Sequence, residues 1–423
     1  MQTDIRRQLK QRLPSRFKAL FLRLRQFVAP LPIDDAVLRQ YRFASDPSPK
    51  PRLNLVIPNI TAAEFFGGHT TGVEIFLELT RDLNRATPID VRIIVSDATS
   101  DTDHAIVAGI RDRKYPQAGE IEFHDIPAID PHVAVRRNDL FVVFNWWAAL
   151  NTLALIRQQC EHYAAPVPPL IYLIQEYEPH MLAFNAAHML AREALDRPER
   201  LWGIVNSSNL DRYLTRQGHN PEKRFIFEPV INPSLRVPLE TVAGSIRKRR
   251  IFVYGRPNVP RNCFPALVRG LRLWASTFPA AQGWEVVSAG TAHKPIALHG
   301  DLQMTSLGKL PLDEYRQFLL ESSVGVSLMA SPHPSYPPLE MAHMGMHTVT
   351  NSYLDKDWTG YHPRIMPIAS IADQAIAEAV TAACLRHDDP RDAAPNADYV
   401  REEAYPFIPE LAAQLNAEIT ARG

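Results

Sequence analysis

The chain contains few cysteines. Its 423 residues include three, Cys160, Cys263 and Cys384, which lie far apart. An odd number of widely separated cysteines excludes a disulfide framework and a thiolate zinc site. Such sparse use of cysteine is typical of a reducing compartment, so the sequence predicts a cytoplasmic protein.

An excess of charge of one sign is also absent. The 46 basic and 46 acidic residues cancel, which gives a formal net charge of zero at pH 7. No overall field therefore attracts nucleic acid, and we expect no nucleic-acid partner. Any anion-binding site has to be built locally from a few basic side chains.

Long hydrophobic runs are missing. The longest apolar stretch without a charge, residues 140–156, contains Asn145 and Asn151. It is shorter than the roughly 20 residues that a membrane-spanning helix needs. Arginines interrupt the apolar residues near the amino end, so the sequence predicts no signal peptide.

The basic segment 1–28 has two interpretations. Phe17, Leu20, Phe21 and Leu24 are spaced for one apolar helix face, which fits a peripheral helix at the inner face of a membrane. A solvated helix, or one that contacts a second copy in a homodimer, fits equally well.

Short apolar runs alternate with helical patterns along the rest of the chain. This alternation predicts an α/β protein with βαβ units and two parallel sheets, and the length favours two domains. The strand-like runs are 53–57, 91–95, 140–144, 170–174, 201–205, 225–227, 251–254, 284–287, 324–328 and 347–350. We expect a basic helical extension at 1–45, domains at 46–235 and 246–395 joined by a linker within 232–249, and a C-terminal helix at 396–423 that packs back on the first domain.

Two arginines follow a strand-like run of the second domain. The β-branched and aromatic residues that end at Gly255 fit a buried parallel strand. Arg256 and Arg261 are then expected near the carboxyl edge of the sheet, where open α/β folds bind ligands, and a guanidinium fork suits phosphate oxygens. A surface ion-pair site is the plainer alternative.

A second basic group follows a glycine turn. Gly308 precedes Lys309 and Leu310 just before a helical pattern. A lysine ammonium beside a helix can meet a phosphate as a point charge. Most surface Gly-Lys pairs have no such role, so this turn indicates a phosphate site only in combination with the other motifs.

A proline-opened helix carries a single glutamate. Pro337 and Pro338 leave the first backbone N–H groups of the helix free for an anion. We expect Glu340 in the same first turn, where its carboxylate can accept hydrogen bonds from ribose hydroxyls. An ordinary helix glutamate is the alternative.

The first domain offers groups for a second substrate. Glycines and threonines at 67–72 can bring backbone N–H groups to a cleft, and Trp146 and Trp147 follow a strand as stacking faces or core residues. A carboxylate at the end of another strand can orient an acceptor hydroxyl or take its proton, although Glu178 can equally cap a helix. The candidates at the cleft are Gly67, Gly68, His69, Thr70, Thr71, Glu176 and Glu178.

These motifs together resemble the family 4 GT-B retaining glycosyltransferases. The resemblance covers nearly the whole chain beyond residue 50 and implies two Rossmann-like domains that face each other across a cleft, the first for the acceptor and the second for a nucleotide-sugar donor. It implies that Arg256 and Arg261 bind the donor diphosphate and that Glu340 binds the ribose. The full set of donor-binding positions is Gly255, Arg256, Arg261, Lys309, Leu310, Ser335, Tyr336, Pro337 and Glu340, with Arg256, Arg261 and Glu178 as the catalytic group.

Within that family, segments 65–79, 174–179 and 331–340 look most like those of bacterial rhamnosyltransferases that build cell-surface polysaccharides. This likeness implies transfer of L-rhamnose from dTDP-L-rhamnose to a glycan or a lipid-linked oligosaccharide, without a cofactor or a metal. A UDP- or GDP-sugar donor, a sugar-nucleotide epimerase and a non-catalytic scaffold are the alternatives. Asp101 and Asp103 form the Asp-x-Asp pattern of metal-dependent transferases, but they lie in a polar run that is typical of a solvated loop.

One position departs from the family pattern. Pro332 stands eight residues before Glu340, where the family usually has a first glutamate, and His333 follows it. Either the loop binds the sugar through backbone groups and His333, or the pattern has drifted with a deoxy sugar that offers fewer hydroxyls.

Overall fold

The computed structural model describes residues 38–39, 41–62, 65, 67–127, 130–390 and 404–422. The expected peripheral helix at 1–28 lies outside these ranges. Within them, no helix combines the length and the apolar character that crossing a membrane requires.

The first domain is built on a parallel seven-stranded sheet with strand order β4-β3-β2-β6-β7-β8-β9. Its central strands are buried along their whole length and consist mostly of apolar residues, although β2 also buries Arg52 and Asn54. Its strands and helices are β1 (Arg42–Ser45), β2 (Arg52–Ile57), α1 (Gly68–Ala86), β3 (Asp90–Val95), α2 (Ala105–Lys114), β4 (Ile121–Asp125), β5 (His132–Val135), β6 (Asp139–Val143), α3 (Trp146–Tyr163), β7 (Leu170–Ile174), α4 (Ala186–Asp196), β8 (Leu201–Asn206), α5 (Ser208–Arg216) and β9 (Lys223–Phe227).

The second domain repeats this plan with strand order β12-β13-β11-β10-β14-β15-β16. Every pair in this sheet is parallel except β12 with β13. Its elements are α6 (Leu239–Gly244), β10 (Lys248–Gly255), α7 (Phe264–Thr277), β11 (Glu285–Gly290), β12 (Ile296–His299), β13 (Leu302–Gly308), α8 (Leu312–Glu321), β14 (Ser322–Val326), α9 (Tyr336–His343), β15 (His347–Asn351), β16 (Ile365–Ile368) and α10 (Asp373–Leu385).

The chain returns to the first domain at its carboxyl end. Helix α11 (Ile408–Arg422) buries Leu411 and Leu415 in the same apolar cluster as Leu79 and Leu83 of α1. Tyr405, just before α11, meets Phe227 of β9 edge to face, with ring centroids 5.5 Å apart.

Two boundaries differ from the sequence analysis. Residues 42–45, assigned there to a helical extension, form strand β1, which pairs in parallel with β5. The segment 232–249, treated there as an aperiodic linker, contains the short helix α6 and the start of β10. Pro238 begins this helix, so a proline that looks like a break in the sequence is instead a helix-opening residue.

Both sheets have a topological switch point, where ligands bind in open α/β folds. In the first sheet the chain runs outward from β2 to β3 and β4 and then returns to place β6 on the other side of β2. In the second sheet the strands after β10 lie on one side of it until β14 pairs on the other. The loops after β2, β6, β10 and β14 therefore flank the two predicted crevices.

Candidate functional site

Strand β10 delivers Arg256 to the switch point of the second sheet. Gly255 ends the strand in close contact with β11, because a Cβ on it would lie 2.1 Å from Ser288 Oγ. Any side chain at position 255 would clash with Ser288, so the strand ends in glycine. Arg256 follows it directly. The half-buried guanidinium of Arg256 has no hydrogen bond or ion pair within the described part of the chain.

Arg261 lies where the two domains meet. Its backbone carbonyl accepts a hydrogen bond from Ala330 N at 2.7 Å, in the loop after β14. Its guanidinium Nη1 lies 3.0 Å from Met181 Sδ of the first domain. The positive charge of Arg261 also acts on Glu176, whose pKa it lowers against the larger raising effect of burial. Arg256 and Arg261 are thus brought to one edge of the second sheet.

The loop 327–335 connects β14 to α9 and forms the other wall of this crevice. It ends at Ser335, whose φ of 72° is in the left-handed region. Ser335 is the N-cap of α9 but its side chain makes no capping hydrogen bond, and prolines occupy the first helical positions. Because Pro337 and Pro338 have no N–H group and Ser335 N donates to His333, the amino end of α9 offers an anion fewer donors than the sequence analysis expected.

Glu340 lies in the second turn of α9, not in the first as the sequence analysis expected, because the helix already begins at Tyr336. Its Oε2 accepts a 2.8 Å hydrogen bond from Tyr315 OH of α8. Burial raises the pKa of Glu340 to about 7, and the Tyr315 bond opposes this rise. A carboxylate fixed in this way can still offer its second oxygen to a hydroxyl.

The Gly308-Lys309-Leu310 turn follows β13, two strands away from β10. Gly308 has a φ of 67°, which favours glycine at this position. Lys309 is exposed, and Leu310 packs against the cluster of apolar residues around Phe252. The turn lies at the same sheet edge as Arg256, with β11 between them.

The first domain contacts this loop through the ends of β7 and β8. Glu176 Oε1, just after β7, accepts a hydrogen bond from Ser331 Oγ at 2.5 Å. Asn206 Nδ2 at the end of β8 donates to Tyr336 OH at 3.2 Å, and the Thr71 side chain is hydrogen-bonded to the same tyrosine. Segment 331–336, which the sequence analysis considered for sugar binding, is thus hydrogen-bonded to both first-domain segments that were assigned to the cleft, 67–72 and 174–179.

The glycine-rich segment begins helix α1 after β2. Gly67 has a φ of 52° and is the N-cap, while a side chain on Gly72 would meet Phe144 at 2.7 Å. Gly68 accepts a hydrogen bond from Gln175 Nε2 at 2.9 Å. The His69 ring lies 4.8 Å from the Phe144 ring, and Thr70 follows it in the first turn of α1. The segment therefore lies beside the end of β7.

Glu178 is held inside the first domain. Its Oε2 accepts hydrogen bonds from the Tyr172 hydroxyl and from Trp146 N, at 2.7 Å for the latter, so it caps the amino end of α3. Burial raises its pKa to about 7, and the nearby Glu176 carboxylate adds to this rise. These contacts fit the capping alternative, although the helix capped is α3 rather than one that starts at Glu178. The catalytic role assigned to Glu178 stays a prediction.

The sequence analysis missed one buried basic group, Lys356, which lies beside the His333 that it did consider. Lys356 is 1% exposed, and its Nζ donates to Met329 O at 2.6 Å. Burial lowers its pKa to about 7, while the Glu176 carboxylate opposes this fall. His333 is 5% exposed beside it. A lysine in a polar run gives no sequence signal of burial, because its partners Met329 and Asn351 lie on other segments.

Asp101 and Asp103 lie in the loop just before α2. Asp103 Oδ1 accepts a 3.0 Å hydrogen bond from Ala105 N, and Thr99 N donates to Thr102 Oγ1 at 2.9 Å. Among the described residues, no three His, Cys, Asp or Glu side chains are grouped as metal ligands would be. The local bonds of this segment belong to a loop that leads into a helix.

Two family models match the chain in the order of its domains. The N-terminal domain of WsaF matches residues 52–208, and the C-terminal domain of WsaF matches residues 249–381. Together these matches cover more than half of the chain, and each falls on one of the two sheets.

The chain belongs to the WsaF family.

One relative and two solved structures are also similar to the chain. The chain is 32% identical over 193 residues to the O-antigen biosynthesis protein RfbC of Myxococcus xanthus, a match that spans 45% of this chain and 14% of that protein. Its fold is similar to that of a sucrose-phosphate synthase from Thermosynechococcus elongatus, with a TM-score of 0.56 and 13% identity over 88% of this chain and all of that one. An α,α-trehalose-phosphate synthase from Burkholderia vietnamiensis has a TM-score of 0.54 and 10% identity over the same shares. The expected GT-B fold is confirmed.

Proposed function

We propose that this WsaF-family protein is a retaining glycosyltransferase that moves a sugar from a nucleotide sugar to a glycan acceptor in cell-surface polysaccharide synthesis. The observation that carries the proposal is the guanidinium of Arg256 at the switch point of the second sheet, which has no charged partner among the described residues. A guanidinium that makes no ion pair within the described residues is available to an anion, and the diphosphate of a sugar nucleotide is one that its fork suits.

The remaining parts of a donor site surround Arg256. Arg261 follows five residues later, and the loop that precedes α9 forms the other side of the crevice. Glu340 has one oxygen bonded to Tyr315 and suits the ribose hydroxyls. The WsaF family and the resemblance to family 4 transferases support the same donor class.

The proposed reaction builds negative charge on the departing diphosphate. The bond from the anomeric carbon to the diphosphate oxygen breaks, the acceptor hydroxyl oxygen bonds to that carbon on the same face, and the hydroxyl proton passes to the departing diphosphate. Arg256 and Arg261 stabilise the negative charge that builds on the diphosphate, and each well-placed donor contributes about 3 to 4 kcal/mol. We expect this charge neutralisation to need no metal.

For the donor we propose dTDP-L-rhamnose. The support is the sequence of segments 65–79, 174–179 and 331–340, which resembles that of rhamnosyltransferases. For the acceptor we propose a glycan or a lipid-linked oligosaccharide, because the partial match is to an O-antigen biosynthesis protein. The site of action that fits these substrates is the cytoplasm at the inner face of the membrane.

A transfer assay tests the proposal. Purified protein is incubated in EDTA with bacterial lipid-linked oligosaccharides and with dTDP-L-rhamnose, UDP-glucose or GDP-mannose, and the release of nucleoside diphosphate is followed. We expect release from dTDP-L-rhamnose and a product whose anomeric proton shows retention. Release from another donor would keep the transferase and discard rhamnose, whereas absence of transfer from all three would contradict the proposed function.

A further inference from the structure

His333 carries a buried hydrogen-bond donor with no acceptor. The side chain is 5% exposed, and its Nδ1 accepts a 3.0 Å hydrogen bond from Ser335 N. Because Nδ1 is the acceptor, the proton of the neutral ring is on Nε2. This Nε2 has no hydrogen-bond partner among the described residues and almost no exposed surface. A buried N–H without an acceptor is costly, so it indicates a missing partner.

The ring is held neutral by its surroundings. Burial lowers the pKa of His333 to about 3, and the positive charges of Lys356 and Arg261 add to this fall. Glu176, on the other side of the cleft, is the nearby carboxylate, and it is hydrogen-bonded to Ser331 rather than to the ring. Nε2 therefore remains a donor, and Nδ1 remains an acceptor, over the whole range of physiological pH.

The loop that carries His333 is hydrogen-bonded to a carboxylate of the first domain. Ser331 Oγ accepts from His333 N at 2.9 Å and donates to Glu176 Oε1 at 2.5 Å, so one hydroxyl joins the loop to the first domain. Glu176 Oε1 also accepts from Tyr177 N at 3.0 Å, while Glu176 Oε2 has no hydrogen bond within the described ranges. The cleft thus presents an unused N–H from one domain and an unused carboxylate oxygen from the other.

We propose that His333 is a specificity-determining residue that donates its Nε2–H to a ring hydroxyl of the donor sugar, with Glu176 accepting from a hydroxyl of the same sugar. A hydroxyl both donates and accepts, so it matches this pair. A phosphate oxygen only accepts, and the Glu176 carboxylate repels it. Since Nε2 is covered in this arrangement, the sugar reaches it when the Ser331–Glu176 contact between the domains opens.

This inference rests on the proposed function, and two substitutions separate it from a purely structural role of His333. His333→Asn keeps an acceptor where Nδ1 lies, so it preserves the bond from Ser335 N, but it has no donor that reaches as far as Nε2. His333→Gln keeps a side-chain N–H at the longer reach and gives up that acceptor. If His333 binds the sugar, His333→Asn should lose more affinity for the sugar nucleotide than His333→Gln does. If its role is structural, His333→Gln should lose more.

Calorimetric titration of the full chain measures how tightly it binds the sugar nucleotide and how tightly it binds the nucleoside diphosphate alone. The dissociation constants for dTDP-L-rhamnose and for dTDP are compared in wild type and both variants. If the wild type prefers another sugar nucleotide, the pair UDP-glucose with UDP, or the pair GDP-mannose with GDP, is used instead. We expect His333→Asn to weaken binding of the sugar nucleotide by roughly 10-fold, and His333→Gln to weaken it less. Binding of the free diphosphate should change by less than about 2-fold in either variant, since it lacks the hydroxyl in question.

Four outcomes overturn the inference. Equal weakening of the sugar nucleotide and of the free diphosphate would assign His333 a structural role, as would a larger loss in His333→Gln than in His333→Asn. Unchanged binding of the sugar nucleotide by His333→Asn would show that no hydroxyl depends on Nε2. Failure of the wild type to bind any of the three sugar nucleotides would instead remove the proposed function, and the inference with it.

Discussion

At the scale of single residues, the two ends of strand β10 offer a matched pair of arginines. Arg256 lies at the carboxyl end, in the crevice, whereas Arg249 is exposed near the amino end of the same strand. We expect Arg256→Ala to weaken dTDP binding roughly 10- to 100-fold, because the diphosphate loses a charged hydrogen-bond donor. Calorimetric titration measures this change.

Arg249→Ala removes the same charge from the same strand and should leave the dissociation constant of dTDP unchanged. If both variants bound dTDP as the wild type does, the assignment of the diphosphate to Arg256 would be wrong. If both lost affinity equally, the effect would come from overall charge instead.

Glu178 leads to a prediction about pH. Its pKa is raised from 4.5 to about 7 by burial, so the folded state holds this proton more tightly than the unfolded chain does. The corresponding stability is fully present below pH 4.5 and is lost as the pH rises through 7. Glu178→Gln imitates the protonated group, so we expect its melting temperature to exceed that of the wild type at pH 8 by roughly 2 °C or more, and not at pH 5.

Thermal unfolding at the two pH values measures this difference, and Glu199→Gln, at an exposed glutamate of the same domain, is the control. A Glu178→Gln variant that melts no higher than the wild type at pH 8 would contradict the buried, proton-binding environment. Its transfer activity is a separate readout, since a capping glutamate tolerates glutamine and a catalytic base does not.

The positions of site residues were predictable where the residues are close in sequence. Gly255, Arg256 and Arg261 lie within one strand–loop unit, so the position of the strand already places the arginines at the sheet edge. The capping of α3 by Glu178 was not predictable in the same way, because Trp146 precedes it by 32 residues on another strand–helix unit. Such contacts depend on which strands are neighbours.

At the scale of elements, the close approach of β10 and β11 fixes the position of Arg256. Gly255→Ala would place a Cβ 2.1 Å from Ser288 Oγ, which the buried strands cannot accommodate without a shift. We expect a loss of about 1 to 3 kcal/mol of stability and a melting temperature lower by roughly 2 to 8 °C. Thermal unfolding of the purified variant measures both.

A second substitution checks the physical cause. Ser288→Ala removes the obstructing oxygen, which has no hydrogen-bond partner among the described residues. The double variant should therefore recover part of the stability that Gly255→Ala loses. Additive losses in the double variant would show that the contact with Ser288 is not what excludes a side chain.

The central strands β2, β6, β7, β8, β10 and β14 were predictable as elements, as was the edge strand β9, whereas β4, β12, β13 and β16 were not. Strands β2, β6, β7 and β8 are buried on both faces, so apolar residues dominate each of them, although β2 also buries Asn54. Strands β4, β12 and β13 are partly exposed and mix polar with apolar residues, and β5 alternates strictly over only four residues. These short mixed patterns do not differ from those of loops.

At the scale of the whole molecule, polar contacts join the two domains around the cleft. Arg216 of α5 forms an ion pair with Asp355 at 2.6 Å, and Asn209 Nδ2 donates to Asp357 O at 3.1 Å. Together with the Glu176–Ser331 bond, these contacts place the predicted acceptor and donor groups on facing surfaces. The sequence indicated both domains, but the choice of partners across the cleft comes only from tertiary structure.

The most direct test of the central claim is a thermal-shift titration of the full chain with dTDP, UDP, GDP and ADP in EDTA. A ligand that binds only the folded protein raises its apparent stability, by about 2.7 kcal/mol at a concentration 100 times the dissociation constant. The account predicts a rise in melting temperature that is largest with dTDP. A flat response to all four nucleotides would contradict it.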